Sequence, residues 1–457
     1  SLSGGESQRI SLSTSLGSSL VGSMYILDEP SIGLHPRDNE KLISVMKQLR
    51  DIGNTLVVVE HDKGIISSAD RIIDMGPFAG TEGGEVIAEG SLREIIKSDT
   101  LTAKYLNGKM KIPVPGNRKK PSKWISIIGA RENNLKDINV SFPLNCLTVV
   151  TGVSGSGKST LVHDILYPII LRKLGIFKRK PGEHISINGD IDLIKNIEYI
   201  NQNPIGRSSR SNPITYLKAY DDIRHLFANQ KLSISRGYKP RHFSFNVEGG
   251  RCENCKGDGQ IIIEMQFMAD VVLECESCKG KRFNKEVLDI KFFGKNISDV
   301  LKTTVDDAID FFTCNNEIKI AESLKPLKDV GLGYVTLGQS SSTLSGGEAQ
   351  RVKLASFIGK EIQRDNILFI FDEPTTGLHF HDINKLLKSF NLLIKKGHTI
   401  IVVEHNIDLI KCADYIIDLG PGGGQFGGNI VAEGTPEEIT KNKKSFTAKY
   451  LLPSLKG

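Results

Sequence analysis

The chain has 457 residues, of which 39% are hydrophobic and 25% are charged, and this composition is typical of a globular protein with more than one core. Its 59 Lys and Arg against 53 Asp and Glu leave a formal net charge of +6, which is small for this length. The apolar runs are far shorter than the roughly 18 residues of a membrane span, and the N-terminus lacks a signal-peptide pattern, so we expect a cytoplasmic protein without a membrane partner.

The sequence repeats itself at an offset of 342 to 345 residues. Residues 2–9 return as 344–351, residues 28–35 as 372–379, and residues 58–61 as 402–405. Solenoid repeats have periods of about 20 to 50 residues, so this spacing indicates a duplicated domain instead. Because the first copy opens inside a motif, we interpret it as truncated and the chain as part of a longer protein.

Alternating short apolar runs and helix-compatible stretches predict an α/β fold. In chain order, we predict the end of the first copy at 1–108, a Pro-, Gly- and Lys-rich linker at 109–123, the start of the second copy at 124–165, an insertion at 166–343 with a cysteine module at about 245–290, and the remainder of the second copy at 344–457.

A glycine-rich loop follows a predicted strand at 147–150. Residues 152–159 match G-x-x-x-x-G-K-[ST] and precede a helix-compatible stretch, which is the context that a phosphate-binding loop requires. Backbone N–H groups can turn toward phosphate there, Lys158 supplies charge, and Ser159 can ligate Mg²⁺. The alternative is a chance glycine turn. The predicted ATP site consists of Gly152, Ser154, Gly155, Gly157, Lys158, Ser159 and Thr160.

The net positive charge is concentrated between Lys195 and Arg251. This window contains ten Lys and Arg against four Asp and Glu, a difference of +6 that equals the net charge of the whole chain. Tyr and Phe residues are interleaved with the cations, and cations with nearby planar groups are typical of nucleic-acid binding. The alternative is a solvated face whose aromatic residues belong to the core.

Two Cys-x-x-Cys pairs follow, and nineteen residues separate them. Cys252 and Cys255 form the first pair, and Cys275 and Cys278 form the second. Four thiolates at this spacing predict a closed, structural Zn²⁺ site, and the flanking glycines suit the turns that such a site needs. The alternative, a redox dithiol, lacks a thioredoxin-like βαβ context.

Polar residues follow the two apolar runs after the insertion. Asp372 is placed to hold Mg²⁺, and Glu373 to orient the attacking water as general base. His405 follows the next run and could bond the γ-phosphate. A lone histidine at a strand end is usually a core residue, but the repeat places His61 identically, which favours a functional role.

Together with the signature Leu-Ser-Gly-Gly-Glu, these motifs resemble the ATP-binding cassette superfamily. The resemblance implies a P-loop ATPase with tandem cassettes, a Q-loop at Gln202, and head-to-tail packing in which each signature completes the other P-loop site. It places Ser3, Gly4 and Gly5 on the nucleotide held by Lys158, and Ser345, Gly346 and Gly347 on the missing first P-loop.

Residues 203–213, 237–240 and 243–246, with the cysteine pairs, resemble the UvrA family of DNA damage-recognition ATPases in bacterial nucleotide excision repair. The resemblance covers essentially the whole chain, which corresponds to the C-terminal half of the proteins in this family. It implies a homodimer that uses ATP, Mg²⁺ and Zn²⁺, binds damaged duplex DNA, and loads the UvrB helicase within the excinuclease complex. The implied DNA contacts are Arg207, Arg210, Lys218 and Arg224.

Two other functions remain open at the level of sequence. An energy-coupling subunit of a transporter would share the cassette motifs, but it needs neither the cysteine pairs nor a basic insertion. A DNA-binding module that holds ATP and hydrolyses it poorly would share every motif, because only one P-loop is present in the chain.

Overall fold

The computed structural model of the chain describes residues 21–206, 210–265, 270–359 and 366–456. These residues form two compact units. The first combines the described residues up to Asn201 with those from 366 onward, and the second comprises those from Gln202 to 359. Within the described ranges, no helix is both long and apolar enough to cross a bilayer.

The first unit opens with the elements of the first sequence copy. They are β1 (Met24–Asp28), α1 (Pro36–Asp51), β2 (Thr55–Val59), α2 (Lys63–Ser68), β3 (Ile72–Gly76), β4 (Glu85–Gly90), α3 (Leu92–Ile95) and α4 (Leu101–Leu106). Strands β1 and β2 pair in parallel, whereas β3 and β4 pair antiparallel. The imidazole of His35 caps α1 by accepting from the N–H of Arg37, and Pro36 supplies a first residue with a fixed φ.

The second copy continues the same unit. Its first elements are β5 (Trp124–Ala130), β6 (Ile138–Pro143), β7 (Leu147–Gly152), a π-helical turn (Thr160–Leu166), α5 (Tyr167–Lys173), β8 (Ser186–Gly189) and β9 (Asn196–Ile200). The three strands β6, β5 and β8 form a separate antiparallel sheet in that order.

The second unit is mainly helical. Its elements are α6 (Pro213–Tyr216), α7 (Ala219–Ala228), α8 (Lys231–Ser235), β10 (Gln260–Ile263), β11 (Val271–Glu274), α9 (Lys285–Leu288), β12 (Lys291–Phe292), β13 (Lys295–Asn296), α10 (Ile297–Lys302), α11 (Val305–Cys314), α12 (Ile318–Asp329) and α13 (Gly346–Ile358). The boundary differs from the predicted insertion at 166–343, because β8 and β9 belong to the sheets of the first unit.

The chain then returns to the first unit. The remaining elements are β14 (Ile367–Asp372), α14 (Phe380–Lys395), β15 (Thr399–Val403), α15 (Ile407–Ile410), β16 (Tyr415–Gly420), β17 (Asn429–Gly434), α16 (Pro436–Ile439) and α17 (Phe446–Lys456). Short 3₁₀ turns occur at Gly80–Glu82, Ile191–Leu193, Pro240–Phe243, Ser341–Thr343 and Gly424–Phe426.

The central sheet of the second copy has six strands in the order β17-β16-β7-β15-β14-β9. All neighbours run parallel except the edge strand β17. Strands β7 and β15 are buried along their whole length, as expected for the middle of a parallel sheet that is covered on both faces. The carboxyl ends of β7, β14 and β15 therefore lie side by side, and each leads into a predicted functional motif.

Candidate nucleotide and metal sites

The glycine-rich loop begins where β7 meets β16. A Cβ at Gly152 would lie 2.0 Å from the carbonyl oxygen of Leu419, and φ at Gly152 is +133°, so only glycine fits there. Gly155 and Gly157 also have positive φ. The loop leads into the π-helical turn that begins at Thr160, whose hydroxyl accepts from Asn133 at 3.2 Å. This is the strand–loop–helix order that the sequence predicts.

Lys158 is the only predicted nucleotide residue with a charged side chain in this loop, and it is buried. Its Nζ donates to the carbonyl oxygens of Gly152 at 3.1 Å and Val153 at 3.0 Å. Burial lowers the pKa of Lys158 to about 8, although Glu373, Asp418 and Asp372 act in the opposite direction. The loop therefore surrounds a cation with backbone dipoles. Ser154 is half-buried, whereas Gly155 and Ser159 are exposed.

The two Asp-Glu segments meet each other across the repeat. Glu373 follows β14 with φ +46°, and its carboxylate lies 3.1 Å from the position of a Cβ at Gly33 in the first copy. Reciprocally, the carboxylate of Glu29 lies 3.3 Å from a Cβ position at Gly377. Asp372 accepts a hydrogen bond of 2.9 Å from the hydroxyl of Tyr199, a residue that the sequence analysis did not select.

His405 lies at the end of β15, 7% exposed, with its Nε2 4.0 Å from a carboxylate oxygen of Glu373. Burial, with Lys158 and His35 nearby, holds the pKa of His405 well below its ordinary value, so the imidazole is neutral. Its counterpart His61 is more exposed, and a hydrogen bond to Glu29 raises the pKa of that imidazole. The pKa values of the two repeated histidines therefore shift in opposite directions.

Two residues of the second unit come close together at the second signature. Ser345 caps α13, because its hydroxyl accepts from the N–H of Glu348 while the Glu348 carboxylate accepts from the N–H of Ser345. A Cβ at Gly346 would lie 3.0 Å from Cβ of Gln202. Gly347 is buried within the same helix. The first signature residues Ser3, Gly4 and Gly5 lie outside the described residues.

The four cysteines of the two pairs form one cluster, which is buried, and their thiols are free. Their sulfurs all lie within 4.8 Å of one another, with Cys252 to Cys275 at 3.9 Å and Cys255 to Cys278 at 3.7 Å. A tetrahedral Zn²⁺ with sulfur at about 2.3 Å requires sulfur–sulfur distances of about 3.8 Å. The donor set and spacing thus fit zinc. Lys256 and Lys279 each follow the second cysteine of a pair and have positive φ.

The basic window is partly neutralised within the fold. Arg210 pairs with Asp258 at 3.4 Å, and Arg224 pairs with Asp221. Lys218 is exposed and is the N-cap residue of α7, with φ +64°. Arg207 lies outside the described residues. Most aromatic residues of the window are core, as the alternative interpretation expected; those that are at least nine-tenths buried are Tyr220, Phe227, Phe243 and Phe245.

Several residues around the nucleotide loop were missed by sequence reasoning, although they lie in the repeated motifs. Glu404, 3% exposed, accepts from the hydroxyl of Thr375 and from the N–H of Asn406, so it joins the residues after β14 to those after β15. Burial raises the pKa of Glu404 to about 8. The recurrence of Val-Val-Glu-His was the available signal, but only the histidine was selected from it.

The chain is similar to curated proteins along nearly its whole length. It is 57% identical over 452 residues to UvrABC system protein A of Clostridium acetobutylicum, an alignment of 98% of this chain and 48% of that protein. It is 56% identical over 454 residues to UvrABC system protein A of Bacillus subtilis, across 99% of this chain and 47% of that protein. The chain thus spans about half the length of the curated relatives it matches. No family model matches it.

A solved structure gives the same result for the fold. The crystal structure of UvrA2 from Deinococcus radiodurans superimposes with a TM-score of 0.92 at 43% identity, covering 99% of this chain and 54% of that one. The predicted fold class is confirmed: an α/β fold of the ATP-binding cassette type, with a repeated cassette sequence, a helical second unit and a four-cysteine cluster that fits a zinc-binding module.

Proposed function

Because the chain belongs to the UvrA family, we propose that it binds and hydrolyses ATP while recognising damaged duplex DNA in nucleotide excision repair. The observation that carries this proposal is the identity of more than half of the aligned residues over nearly the whole chain. The same relatives make an energy-coupling role in a transporter the weaker alternative. We further propose a cytoplasmic homodimer that delivers its DNA to UvrB within the excinuclease complex.

In this proposal the loop after β7 holds the phosphates of ATP. Residues Gly152, Ser154, Gly155, Gly157 and Thr160 shape the loop and direct N–H groups inward, and Lys158 leaves its own carbonyl partners to bond phosphate oxygens. Ser159 and Asp372 would hold Mg²⁺, which neutralises charge on the phosphates. Tyr199 keeps the Asp372 carboxylate oriented through its hydroxyl.

Glu373 is the proposed general base. Its carboxylate lies at the end of a buried parallel strand, where ligands of α/β sheets bind, and it lies 4.0 Å from His405. A carboxylate there can accept a proton from an attacking water. His405 is neutral and can donate one hydrogen bond to the γ-phosphate, and Gln202 would help to place the water and Mg²⁺.

Signature residues would complete each site from the opposite cassette. Gly346 and Gly347 begin a 13-residue helix behind the Ser345 cap, and the N-terminus of such a helix attracts anions. We propose that these three residues contact the nucleotide of the first cassette. Ser3, Gly4 and Gly5 would act in the same way on the nucleotide at Lys158.

We propose that the cysteine cluster binds one Zn²⁺ that supports the structure of the insertion. We propose that the basic residues Arg207, Arg210, Lys218 and Arg224 contact DNA phosphates. Such contacts carry no sequence information, which suits a protein that senses the reduced bending or unwinding cost of damaged DNA.

ATP hydrolysis is tested with Glu373→Gln, which removes the base and preserves size. We expect kcat to fall about 100-fold or more, while a fluorescent ATP analogue binds as tightly as to the wild type. Turnover is measured as phosphate release. The control variant is Glu89→Gln, which changes an exposed glutamate that pairs with Arg71. Equal, measurable turnover in wild type and Glu373→Gln would contradict the role of Glu373 as the base. Absence of turnover in both would leave a nucleotide-holding DNA-binding module.

DNA binding is tested with a double charge reversal, Arg207→Glu with Arg210→Glu. We expect the variant to lose at least tenfold in affinity for damaged duplex DNA. Its affinity should also decline less steeply with salt than that of the wild type, because phosphate contacts release counterions. Fluorescence anisotropy measures the affinity. The control is the double variant Lys443→Glu with Lys444→Glu, which makes an equal charge change at two exposed lysines. Unchanged affinity in a folded Arg207/Arg210 variant contradicts the assignment.

A further inference from the structure

Two histidines outside the predicted nucleotide residues reach across the internal repeat. His35 Nε2 lies 3.2 Å from Thr447 Oγ1, and the hydroxyl of Thr447 donates to Asp418 Oδ1 at 2.9 Å. All three residues are at least nine-tenths buried. We name this set the His35 relay. His35 belongs to the first sequence copy, whereas Thr447 and Asp418 belong to the second, so the relay joins the two cassettes.

The mirror position carries the same arrangement. His379 Nε2 lies 3.3 Å from Thr102 Oγ1, and the hydroxyl of Thr102 donates to Asp74 Oδ1 at 2.8 Å. We name this set the His379 relay. Each histidine also meets a tyrosine ring edge-on, which is Tyr450 for His35 and Tyr105 for His379. The same residue types in the same order at both positions argue against accidental packing.

The hydrogen bonds of His35 fix the direction of the relay. Its Nδ1 accepts from the N–H of Arg37 at 3.2 Å, so in the neutral ring the proton is on Nε2. Nε2–H then donates to Thr447, whose own hydroxyl proton goes to Asp418. Burial, with Lys158 and Arg37 nearby, lowers the pKa of His35 to about 3, so this neutral form persists at neutral pH.

The His35 relay ends beside the glycine-rich loop. Asp418 on β16 pairs in register with Thr151 on β7, and the next pair is Leu419 with Gly152, the first loop glycine. In addition, the ring of His35 lies edge-on to the ring of His405, with centroids 6.1 Å apart. Through Thr447 and Asp418, His35 thus reaches the strand that pairs with the strand before the loop, and its ring contacts the histidine proposed to bond the γ-phosphate.

The two relays are not equivalent in strength. Asp418 accepts a second bond from the hydroxyl of Ser445, at 2.5 Å, whereas Oδ2 of Asp74 is buried and finds no partner in the described part of the chain. His35 is fully buried, and His379 is only partly so. The His35 relay is therefore the more rigid of the two, and it serves the cassette whose P-loop is present.

We propose that His35 is a positioning residue for ATP hydrolysis at the Lys158 site, acting through Thr447 and Asp418 on the strand before the loop and through its ring on His405. Movement of the first cassette would then change turnover at the second without any direct contact with nucleotide. This inference rests on the proposed ATPase function.

The test uses the whole chain and separates turnover from binding. Thr447→Val keeps the volume of the side chain and removes the hydroxyl, so we expect kcat to fall about fivefold while the affinity for a fluorescent ATP analogue stays within about twofold. Thr447→Ser restores the hydroxyl and should restore kcat. Thr440→Val is the matched control, because Thr440 is half-buried and its hydroxyl donates to the carbonyl oxygen of Glu437, outside the relay.

A double variant tests the pathway. If His35 acts through Thr447, then His35→Gln with Thr447→Val should lose no more turnover than the worse single variant, whereas independent effects would multiply to about 25-fold. Full turnover in folded Thr447→Val, or a multiplied loss, overturns the relay. Absence of turnover in the wild type overturns the proposed function instead, and the relay with it, so the two failures are distinguishable.

Discussion

Burial is the largest cause of the pKa shifts of four ionisable side chains at and around Lys158. It lowers the pKa of Lys158, His35 and His405 and raises the pKa of Glu404. At neutral pH the two histidines are neutral, Glu404 is largely protonated, and Lys158 still carries most of its charge. Lys158 consequently remains a cation within the loop, with Glu373, Asp418 and Asp372 nearby.

Glu404 should leave a measurable signature in the pH dependence of stability. Its pKa in the folded chain is about 8, above the ordinary value of 4.5, so between those values the folded chain holds a proton that the unfolded chain has lost. The free energy of unfolding therefore falls as pH rises through this window. Glu404→Gln should remove that decline, and urea unfolding between pH 5 and pH 8 measures it.

Glu437→Gln provides the control for this prediction. The hydrogen bond from Arg118 lowers the pKa of Glu437, so its contribution is complete above about pH 5 and is lost only at lower pH. The Glu437→Gln substitution should lower the free energy of unfolding by the same amount at every pH between 6 and 8. If the free energy of unfolding depends on pH in the same way in the wild type and in Glu404→Gln, then Glu404 is ionised in the folded chain.

At the scale of elements, the repeat explains why the two copies differ in burial. Strands β1 and β2 correspond to β14 and β15, and β3 and β4 correspond to β16 and β17. In the second copy β7 lies between the two pairs, but no described residue takes that place between β2 and β3. Apolar side chains of the first copy are consequently exposed, including Met24, Ile26, Val57, Val59, Ile73 and Met75.

The close contact between β7 and β16 gives a prediction for this part of the sheet. Gly152→Ala would place a methyl group 2.0 Å from the Leu419 carbonyl oxygen at a φ of +133°, so β16 must shift and we expect thermal unfolding at least 5 °C lower, with loss of nucleotide binding. Gly175→Ala is the control, because Gly175 has φ +79° and nothing within 4 Å of a Cβ. It should cost about 1 kcal/mol. Similar melting temperatures for the two variants would contradict this account.

Sequence analysis predicted those elements that are specified by residues close together in the sequence. The strand, loop and helix around Lys158 follow from an apolar run and a glycine pattern, and the cysteine cluster follows from spacing. Sequence reasoning did not place β8 and β9 in the first unit, because their short, mixed runs acquire partners only in the folded sheet. It also missed His35, Glu404 and Tyr199, since each becomes significant only through a partner distant in sequence, respectively Thr447, Thr375 and Asp372.

At the scale of the whole molecule, the proposed nucleotide and zinc sites belong to different compact units. Lys158, Glu373 and His405 lie in the first, whereas the four cysteines, Gln202 and the second signature lie in the second. The second unit has its own buried aromatic core, with Phe227, Phe243 and Phe245 among its fully buried residues. Loss of metal should therefore affect one unit more than the other.

Chelation tests this division in a single purified sample. We expect one Zn²⁺ per chain, released by a strong chelator together with most of the DNA affinity, because four unligated thiols no longer hold the turns around β10 and β11. Binding of a fluorescent ATP analogue to Lys158 should change by less than about twofold, since the first unit keeps its sheet. Metal release is followed with a chromogenic indicator and DNA affinity by anisotropy.

Variants distinguish zinc loss from a general effect of the chelator. Cys255→Ser should reproduce the loss of zinc and of DNA affinity without added chelator, because three thiolates hold the metal less tightly than four. Cys314→Ser, which changes an exposed thiol outside the cluster, should retain both. Restoration of DNA binding when Zn²⁺ is returned would show that the insertion refolds around the metal. Full DNA affinity in the zinc-free protein would separate the cysteine module from DNA recognition altogether.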